Sequence, residues 1–306
     1  ENLSEVIDLE KKLTSSNVPE GLKEEALRNI VRLKRMFKMG GYSAEFETVN
    51  KYVDWVTRLP WGIRSRDSFD INNARKLMDD THHGMDTIKE LILDYIATMQ
   101  LQSMGGIQGV RRDPLPTQIP TSASLPQIPQ SQIPQNLGTQ QDMGVLRGSS
   151  ANAPVFLFLG LQGVGKTSIA KSIATSMGRK FARVSLGAIG DVRTLRGTPK
   201  YSPDAEPGQI IKALIRCGTM NPVILLDEIE KSTGNQGLLS DVMAVLLEIL
   251  DPEQNSTFVD HYIDYPVDLS GVFFICTANN LGGLSAALLD RVEVINDYTF
   301  KMILKF

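Results

Sequence analysis

The sequence is poor in the features that mark disulfide-stapled, zinc-binding and membrane-spanning proteins. Its 306 residues include only two cysteines. Cys217 and Cys276 are too far apart for the paired spacing of a zinc site, and two cysteines cannot build a disulfide framework. No apolar run approaches the roughly twenty residues that a membrane-spanning helix needs. We therefore expect a reducing compartment and no membrane partner.

The chain also lacks an excess of basic charge. It has 32 Lys and Arg residues against 35 Asp and Glu residues, a formal net charge of -3. Proteins that bind nucleic acid need a basic surface to contact the phosphates, so a nucleic-acid partner is not expected here without a local patch. The hydrophobic content of 42% is that of an ordinary globular protein, and the length allows one large domain and a smaller one.

Helical spacing dominates the first hundred residues. Apolar residues recur at alternating spacings of four and three over residues 20–38, which predicts a helix with one apolar stripe. Similar patterns predict helices over residues 46–59 and 85–101. Together they predict a small helical domain. The stripe of the first of these helices consists of Ala26, Ile30, Leu33 and Phe37.

The composition changes over residues 103–153, which are rich in Pro, Gln and Ser. Gln-Ile-Pro recurs at positions 118, 127 and 132. Repeated prolines oppose helix and central strand, and the few apolar residues do not offset the entropy of ordering. This stretch predicts a flexible insertion. It is either a passive surface loop or a docking element for a partner, since extended Pro-rich segments can serve that way.

From residue 154 onward, short apolar strands alternate with helices, which predicts an α/β domain with a parallel sheet. The predicted strand 155–159 runs into a G-x-x-x-x-G-K-T sequence, and a helix is expected over residues 168–177. In that context we expect the loop to bind ATP: its glycines would turn backbone N–H groups toward the phosphates, and Lys166 would neutralise their charge. Thr167 would ligate Mg²⁺. The predicted nucleotide-binding residues are Gly160, Leu161, Gln162, Gly163, Val164, Gly165, Lys166, Thr167 and Ser168.

A second predicted strand, 223–226, ends in two acids. Asp227 and Glu228 follow it directly, at the place where a parallel sheet presents residues to a ligand. Asp227 would hold Mg²⁺, and Glu228 would polarise the water that attacks the γ-phosphate. The plainer interpretation is a solvated acidic turn.

Two further polar residues fit the same chemistry. Asn279 follows a predicted strand over residues 272–276 and could orient water or sense the γ-phosphate. Arg291 stands at a predicted helix end, where its guanidinium could reach a phosphate bound by a neighbouring subunit. The alternatives are an Asn that satisfies its own loop and a plain surface Arg.

With these motifs in this order, the chain resembles the Lon protease family. The resemblance covers nearly everything except the insertion and the last residues. It implies a helical end of the Lon N-terminal region over 1–79, the start of an AAA+ domain over 80–102 and a large ATPase subdomain over 154–306. The segments that carry it are Leu-Pro-Trp-Gly at 59–62, residues 80–101, Asn-Pro-Val-Ile-Leu-Leu-Asp-Glu at 221–228, Leu-Asp-Pro-Glu-Gln-Asn at 250–255, Asp-His-Tyr at 260–262 and Ala-Leu-Leu-Asp-Arg at 287–291.

The resemblance implies a hexameric ring that uses ATP to thread unfolded or damaged polypeptide toward a serine peptidase domain. The peptidase residues and the small ATPase subdomain are expected to lie beyond Phe306. His82 and His83 would lie near the adenine, or else in an exposed polar loop. Tyr201 matches the aromatic residue of the first pore loop, but Ser-Pro-Asp-Ala-Glu at 202–206 replaces the family's short stretch of aliphatic residues and glycine.

Two other functions remain open at this point. One is a non-catalytic nucleotide-binding or assembly fragment that modulates full-length rings. The other is an AAA+ remodeller acting on nucleic acid. A long insertion just before the phosphate loop is similar to that of fungal peroxisomal Lon proteins, so the peroxisomal matrix is the expected location and the mitochondrial matrix is the alternative.

Overall fold

The structure, a computed structural model, describes residues 2–38, 45–103, 154–161, 163, 165–187, 191–202, 204–233 and 239–295. In these ranges the helices are α1 (Asn2–Thr14), α2 (Glu20–Lys38), α3 (Glu45–Arg58), α4 (Ile71–Thr81), α5 (Asp86–Ser103), α6 (Lys166–Ser176), α7 (Val192–Arg196), α8 (Gln209–Cys217), α9 (Leu239–Leu250) and α10 (Ala286–Leu289). The strands are β1 (Val155–Leu159), β2 (Phe181–Ser185), β3 (Val223–Asp227), β4 (Phe258–Val259), β5 (Pro266–Val267), β6 (Phe273–Ala278) and β7 (Val292–Ile295). Short 3-10 helices cover Ile229–Thr233 and Asn255–Thr257.

A five-stranded sheet in the order β2-β3-β6-β1-β7 forms the centre of the molecule. All four neighbouring pairs are parallel. The residues of β3 and β6 are fully buried, which explains why these strands are continuous apolar runs: helices cover both faces of the sheet. The registers align Leu159 with Ala278 and Ser185 with Asp227, so the strands end together at one edge. The predicted α/β fold with a parallel sheet is confirmed.

The three predicted N-terminal helices are present, but α1 and α4 were not anticipated. In α1 the buried residues Val6, Leu9 and Leu13 recur at helical spacing between charged residues. Helix α4 is short and polar, and it starts at Asp70, whose side chain accepts a hydrogen bond from the Asn73 N–H at 3.0 Å. Such a cap satisfies a backbone donor at the start of the helix.

Helices α1–α3 share one hydrophobic core with a face of the sheet. The Tyr52 hydroxyl donates to the Ile263 carbonyl at 3.1 Å, and the Trp61 indole N–H donates to the Val56 carbonyl at 2.8 Å. The rings of Trp61 and Tyr265 meet edge to face, 6.2 Å apart. Helices α1–α3, which we call the helical region, are therefore packed against the α/β region through a continuous buried core.

Helix α4 changes one predicted boundary. Ala74 and Met78 are fully buried in the second core cluster, together with Ile169 and Ile173 of α6. The boundary predicted between residues 79 and 80 falls within this helix, and we propose a boundary before Ile71. The predicted insertion, apart from Ser103, and the last residues, 296–306, lie outside the described residues.

Asp260 is a fully buried acid that links two loops beside the sheet. Its Oδ2 accepts from the Gly208 N–H at 2.7 Å, and its Oδ1 accepts from the N–H groups of Tyr262 and Ile263 at 2.8 and 3.1 Å. A Cβ at Gly208 would lie 1.9 Å from the Leu195 carbonyl oxygen, so only glycine fits there. Burial raises the pKa of Asp260 to about 6, although the three N–H donors act in the opposite direction.

This pKa predicts a specific pH dependence of stability. The carboxyl of Asp260 has a pKa of about 6 in the folded chain, against the ordinary value of 3.8 for an aspartate side chain, so the folded state binds more protons between these values. Its contribution to stability is then present at low pH and lost as pH rises through about 6. The unfolding free energy of wild type, relative to Asp260→Asn, should fall by about 2 to 3 kcal/mol between pH 4 and 7.

Urea unfolding at a series of pH values measures this difference. Asp8→Asn is the control, because Asp8 is exposed on α1, and its difference from wild type should stay nearly constant. If the difference in unfolding free energy between wild type and Asp260→Asn is also independent of pH, the raised pKa of Asp260 is contradicted.

Candidate nucleotide-binding site

The loop after β1 has the backbone geometry of a phosphate cradle. Gly163 and Gly165 have φ values of 81° and 92°, a region that strains residues with a side chain. Gly165 caps α6 without a side-chain hydrogen bond, so the first N–H groups of this 11-residue helix are left for a ligand. Gln162 and Val164 lie outside the described residues, and the side chain of Leu161 is exposed.

The Lys166 ammonium lies at the end of β1 and β6. It donates to the carbonyl oxygens of Gly160 at 2.5 Å and Ala278 at 3.1 Å, and to Asn279 Oδ1 at 3.2 Å. The residue is 8% exposed. Burial lowers the pKa of Lys166, and the nearby carboxylates of Glu230, Asp227 and Glu228 oppose that shift. The arrangement keeps a buried cation in front of the helix N-terminus.

Both carboxylate oxygens of Asp227 have protein donors. Oδ1 accepts a short hydrogen bond from the Thr277 hydroxyl, and Oδ2 accepts from Arg183 Nε at 2.8 Å. These contacts tie β3 to its neighbours β6 and β2 and fix the carboxylate at the sheet edge. Asp227 is also one of the residues that line the cavity of the site. An orientated carboxylate of this kind suits a hard cation.

Glu228 turns the chain at the end of β3 with a φ of 60°, an uncommon value for a residue with a side chain. Its N–H donates to the Thr277 hydroxyl at 3.0 Å, and its Oε1 accepts from Lys231 Nζ at 2.6 Å. A Cβ at Gly187 would lie 2.5 Å from Glu228 Oε2. Glycine there leaves room for the carboxylate beside the phosphate loop.

Asn279 connects the two halves of the site. Its Oδ1 accepts from Lys166, and its Nδ2 donates to Glu230 Oε1 at 2.7 Å. Its amide therefore lies between the phosphate-loop lysine and the acids that follow β3.

A cavity of about 450 Å³ opens between these groups. This volume lies within the range of small-ligand and cofactor sites. The oxygen donors of Thr167, Asp227 and Glu228 are of the type that Mg²⁺ prefers, so the residues present fit that ion. The lining residues are Gly163, Gly165, Lys166, Thr167, Ser168, Arg183, Asp227, Glu228 and Asn279.

The two predicted histidines, His82 and His83, differ in burial. His82 is buried after α4, with Nε2 3.1 Å from the Ser168 hydroxyl and Nδ1 2.9 Å from the Thr81 hydroxyl. Burial lowers the pKa of His82, as does the nearby charge of Lys89. His83 is exposed. His82 thus contacts the start of α6, and neither histidine is among the residues that line the cavity.

Arg291 and Tyr201 also lie outside the cavity. Arg291 Nη2 is 3.1 Å from Asp251 Oδ2, and Nη1 donates to the Ala287 carbonyl at 3.1 Å. The Glu253 N–H and the Arg291 guanidinium lower the pKa of Asp251. Tyr201 is 73% exposed.

Sequence reasoning missed three residues of the site: Arg183, Thr277 and Glu230. Arg183 lies on β2 and reaches Asp227 only because β2 pairs with β3 in one particular register. Thr277 lies within β6, which runs to Ala278, two residues beyond the predicted end of this strand at 276. Glu230 lies in the 3-10 helix after β3, where the sequence shows only an acid among other acids.

Comparison with known proteins agrees with this geometry. Residues 156–299 match the family described as ATPase family associated with various cellular activities (AAA). The chain is 38% identical over 296 residues to a Lon protease of Roseiflexus castenholzii, and 37% identical over 292 residues to Lon protease 1 of Bacillus subtilis. The mitochondrial Lon protease homolog of Candida glabrata is 37% identical over 285 residues. The chain belongs to the Lon family.

These alignments cover 96%, 95% and 93% of the chain, but only 31%, 31% and 23% of the three relatives. The chain thus spans less than a third of the length of Lon proteins of this kind. The predicted Lon resemblance and the AAA ATPase domain are confirmed, and nucleotide binding follows from that family. Within the described part of the chain, no helix has the length and apolar character needed to cross a bilayer.

The role of Lys166 in this Lon-family chain is tested by Lys166→Met, which keeps the apolar stem and removes the charge. A charge-assisted contact to phosphate is worth about 1.5 to 3 kcal/mol, so the affinity for a fluorescent ATP analogue should fall at least about tenfold. Lys171→Met is the matched control, since Lys171 is exposed on the same helix, and its affinity should equal wild type. Equal affinities for all three proteins would contradict the site.

Proposed function

We propose that this chain binds ATP with Mg²⁺ and hydrolyses ATP as the ATPase portion of a Lon-type ATP-dependent protease. One observation carries the proposal. Lys166, Asp227, Glu228 and Asn279, from three segments distant in sequence, surround one cavity at the N-terminus of α6. A phosphate loop alone would fit a small kinase, whereas the second acid supplies a base for water.

Each residue of the cavity would have a role that follows from the chemistry of its side chain. The N–H groups at the start of α6 and the Lys166 ammonium would hold the phosphates. To reach a phosphate, Lys166 would release its hydrogen bond to the Gly160 carbonyl oxygen. Thr167 and Asp227 would hold Mg²⁺, which neutralises charge on the phosphates. Glu228 would accept the proton of the attacking water after leaving Lys231. Asn279 would orient that water.

The catalytic role of Glu228 is tested by Glu228→Gln, which keeps the shape and removes the base. General bases contribute about 10² to 10⁴ in rate, so ATP turnover should fall at least about 100-fold while affinity for the ATP analogue is retained. Glu90→Gln is the control, because Glu90 is exposed on α5. A wild type that binds the analogue yet shows no turnover as a ring would favour the non-catalytic assembly fragment.

We further propose that the intact protein assembles as a hexameric ring and that Arg291 acts on the nucleotide of a neighbouring subunit. The support is that Arg291 stands outside its own cavity, held in place by Asp251. A guanidinium supplied in this way stabilises the charge that develops on the transferred phosphoryl group.

His82 is proposed to border the adenine through its contact with Ser168, and His83 is proposed as a second residue of that region.

Action between subunits is tested by mixing two inactive variants. Arg291→Ala alone should lower turnover by about 10³-fold, in line with other arginine fingers. A mixture of Arg291→Ala with Glu228→Gln should be more active than either variant alone, because some interfaces then combine an intact Arg291 with an intact Glu228. A mixture no more active than its parts would place Arg291 on its own subunit's site or outside catalysis.

The proposed substrates are unfolded or damaged polypeptides, threaded past the Tyr201 ring toward a peptidase domain of the intact protein. The exposure of Tyr201 supports a contact with polypeptide. We propose the peroxisomal matrix as the location, with the mitochondrial matrix as the alternative, to which the Candida glabrata relative corresponds. Imaging of the tagged full-length protein against markers of both organelles separates them.

A further inference from the structure

The amine of Lys200, the residue before Tyr201, is held by the helical region. Lys200 Nζ lies 2.6 Å from Glu25 Oε1 of α2, and its side chain is only 12% exposed. It also lies 3.7 Å from Asp264 Oδ2. The ion pair thus joins residues 175 positions apart in sequence, and it connects the helical region directly to the segment that presents Tyr201.

Tyr52 of α3 completes the binding of this amine. Lys200 Nζ lies 5.0 Å from the centroid of the Tyr52 ring, within the range of a cation–π contact. Tyr52 itself is 2% exposed, and its hydroxyl donates to the Ile263 carbonyl. The ring is therefore fixed by both regions. The Lys200 amine is therefore held between the Glu25 carboxylate and the face of the Tyr52 ring.

The loop around Tyr201 is closed at its base by its own hydrogen bonds. The Thr198 N–H donates to the Glu206 carbonyl at 3.1 Å, and the Glu206 N–H donates to the Thr198 hydroxyl at 2.9 Å. Just after this base, the Gly208 N–H donates to Asp260. The tip is different: a cavity of about 630 Å³ separates Ser202 and its neighbours from α3. Lys200 reaches across this cavity to Glu25 of α2.

We propose that Lys200 is a positioning residue, through which the helical region sets the orientation of the Tyr201 ring toward the polypeptide substrate. Glu25 and Tyr52 hold the amine, the closed base holds the loop, and Tyr201 is left exposed at the fixed tip. The substrate part of this inference rests on the proposed polypeptide contact of Tyr201. We call the contacts of Lys200 with Glu25 and Tyr52 the clamp, and the clamp does not depend on that proposed contact.

Hydrogen exchange of the 306-residue chain tests the clamp directly. In Lys200→Ala, amides of the segment 198–206 should exchange at least about tenfold faster than in wild type, because the tip loses its tether to α2 and α3. Glu25→Gln, which removes the carboxylate that pairs with Lys200, should speed exchange in the same way. Lys200→Arg, which keeps the positive charge, should exchange as slowly as wild type. Lys34→Ala is the matched control, since Lys34 pairs with Glu10 inside the helical region at a comparable burial. Its exchange in 198–206 should equal wild type.

Exchange of 198–206 that is unchanged in both Lys200→Ala and Glu25→Gln would overturn the clamp. A uniform increase over the whole chain would also overturn it, since it would show general destabilisation.

The link to substrate is read in the full-length protein with reduced, carboxymethylated α-lactalbumin as an unfolded probe. Lys200→Ala should raise the KM for this probe at least threefold, with basal ATP turnover within twofold of wild type and with rescue by Lys200→Arg. An unchanged KM would overturn the positioning role. If Tyr201→Ala leaves degradation of the probe unchanged, the proposed contact between Tyr201 and polypeptide is wrong. The hydrogen-exchange experiment tests the contacts of Lys200 independently of that result.

Discussion

The buried ammonium of Lys166 is the interaction on which the site depends. It joins the carbonyl after β1 to the last carbonyl of β6 and holds Asn279 beside them. Thr277, one residue before the end of β6, in turn donates to Asp227 at the end of β3. Three parallel strands are thus fixed to one another at the edge where their side chains face a ligand. Since the lysine is buried and its pKa is lowered by that burial, phosphate oxygens are better partners for its charge than neutral carbonyls.

The two faces of the sheet serve different parts of the proposed motor. On one face, α4, α5 and α6 share a core, and the turn after α4 brings His82 against Ser168. On the other, the helical region packs through Tyr52 and Trp61, and its contacts extend to the loop that carries Tyr201. The candidate nucleotide site and the loop that carries Tyr201 are therefore both packed against one sheet.

Motifs with a chemical reason for each residue could be read from the sequence: the phosphate loop, Asp227 and Glu228, and Asn279 after an apolar strand. The fold class followed from the alternation of strands and helices, and the Lon family from longer segments. Contacts set by register or by distant packing could not be read. Arg183 reaches Asp227 through strand pairing, and Lys200 meets Glu25 through the docking of α2. Helix α4 was missed because it is short and polar, and its capping by Asp70 and packing on α6 stabilise it more than its own spacing indicates.

The most direct test of the central claim is an experimental structure of the chain with Mg²⁺ and a slowly hydrolysed ATP analogue. The account predicts the analogue in the cavity at the start of α6. Lys166 Nζ should have left the Gly160 carbonyl and lie about 3 Å from a phosphate oxygen, with Thr167 and Asp227 around the metal ion. An analogue bound elsewhere, or bound there with Lys166 still on Gly160 and Ala278, would contradict it.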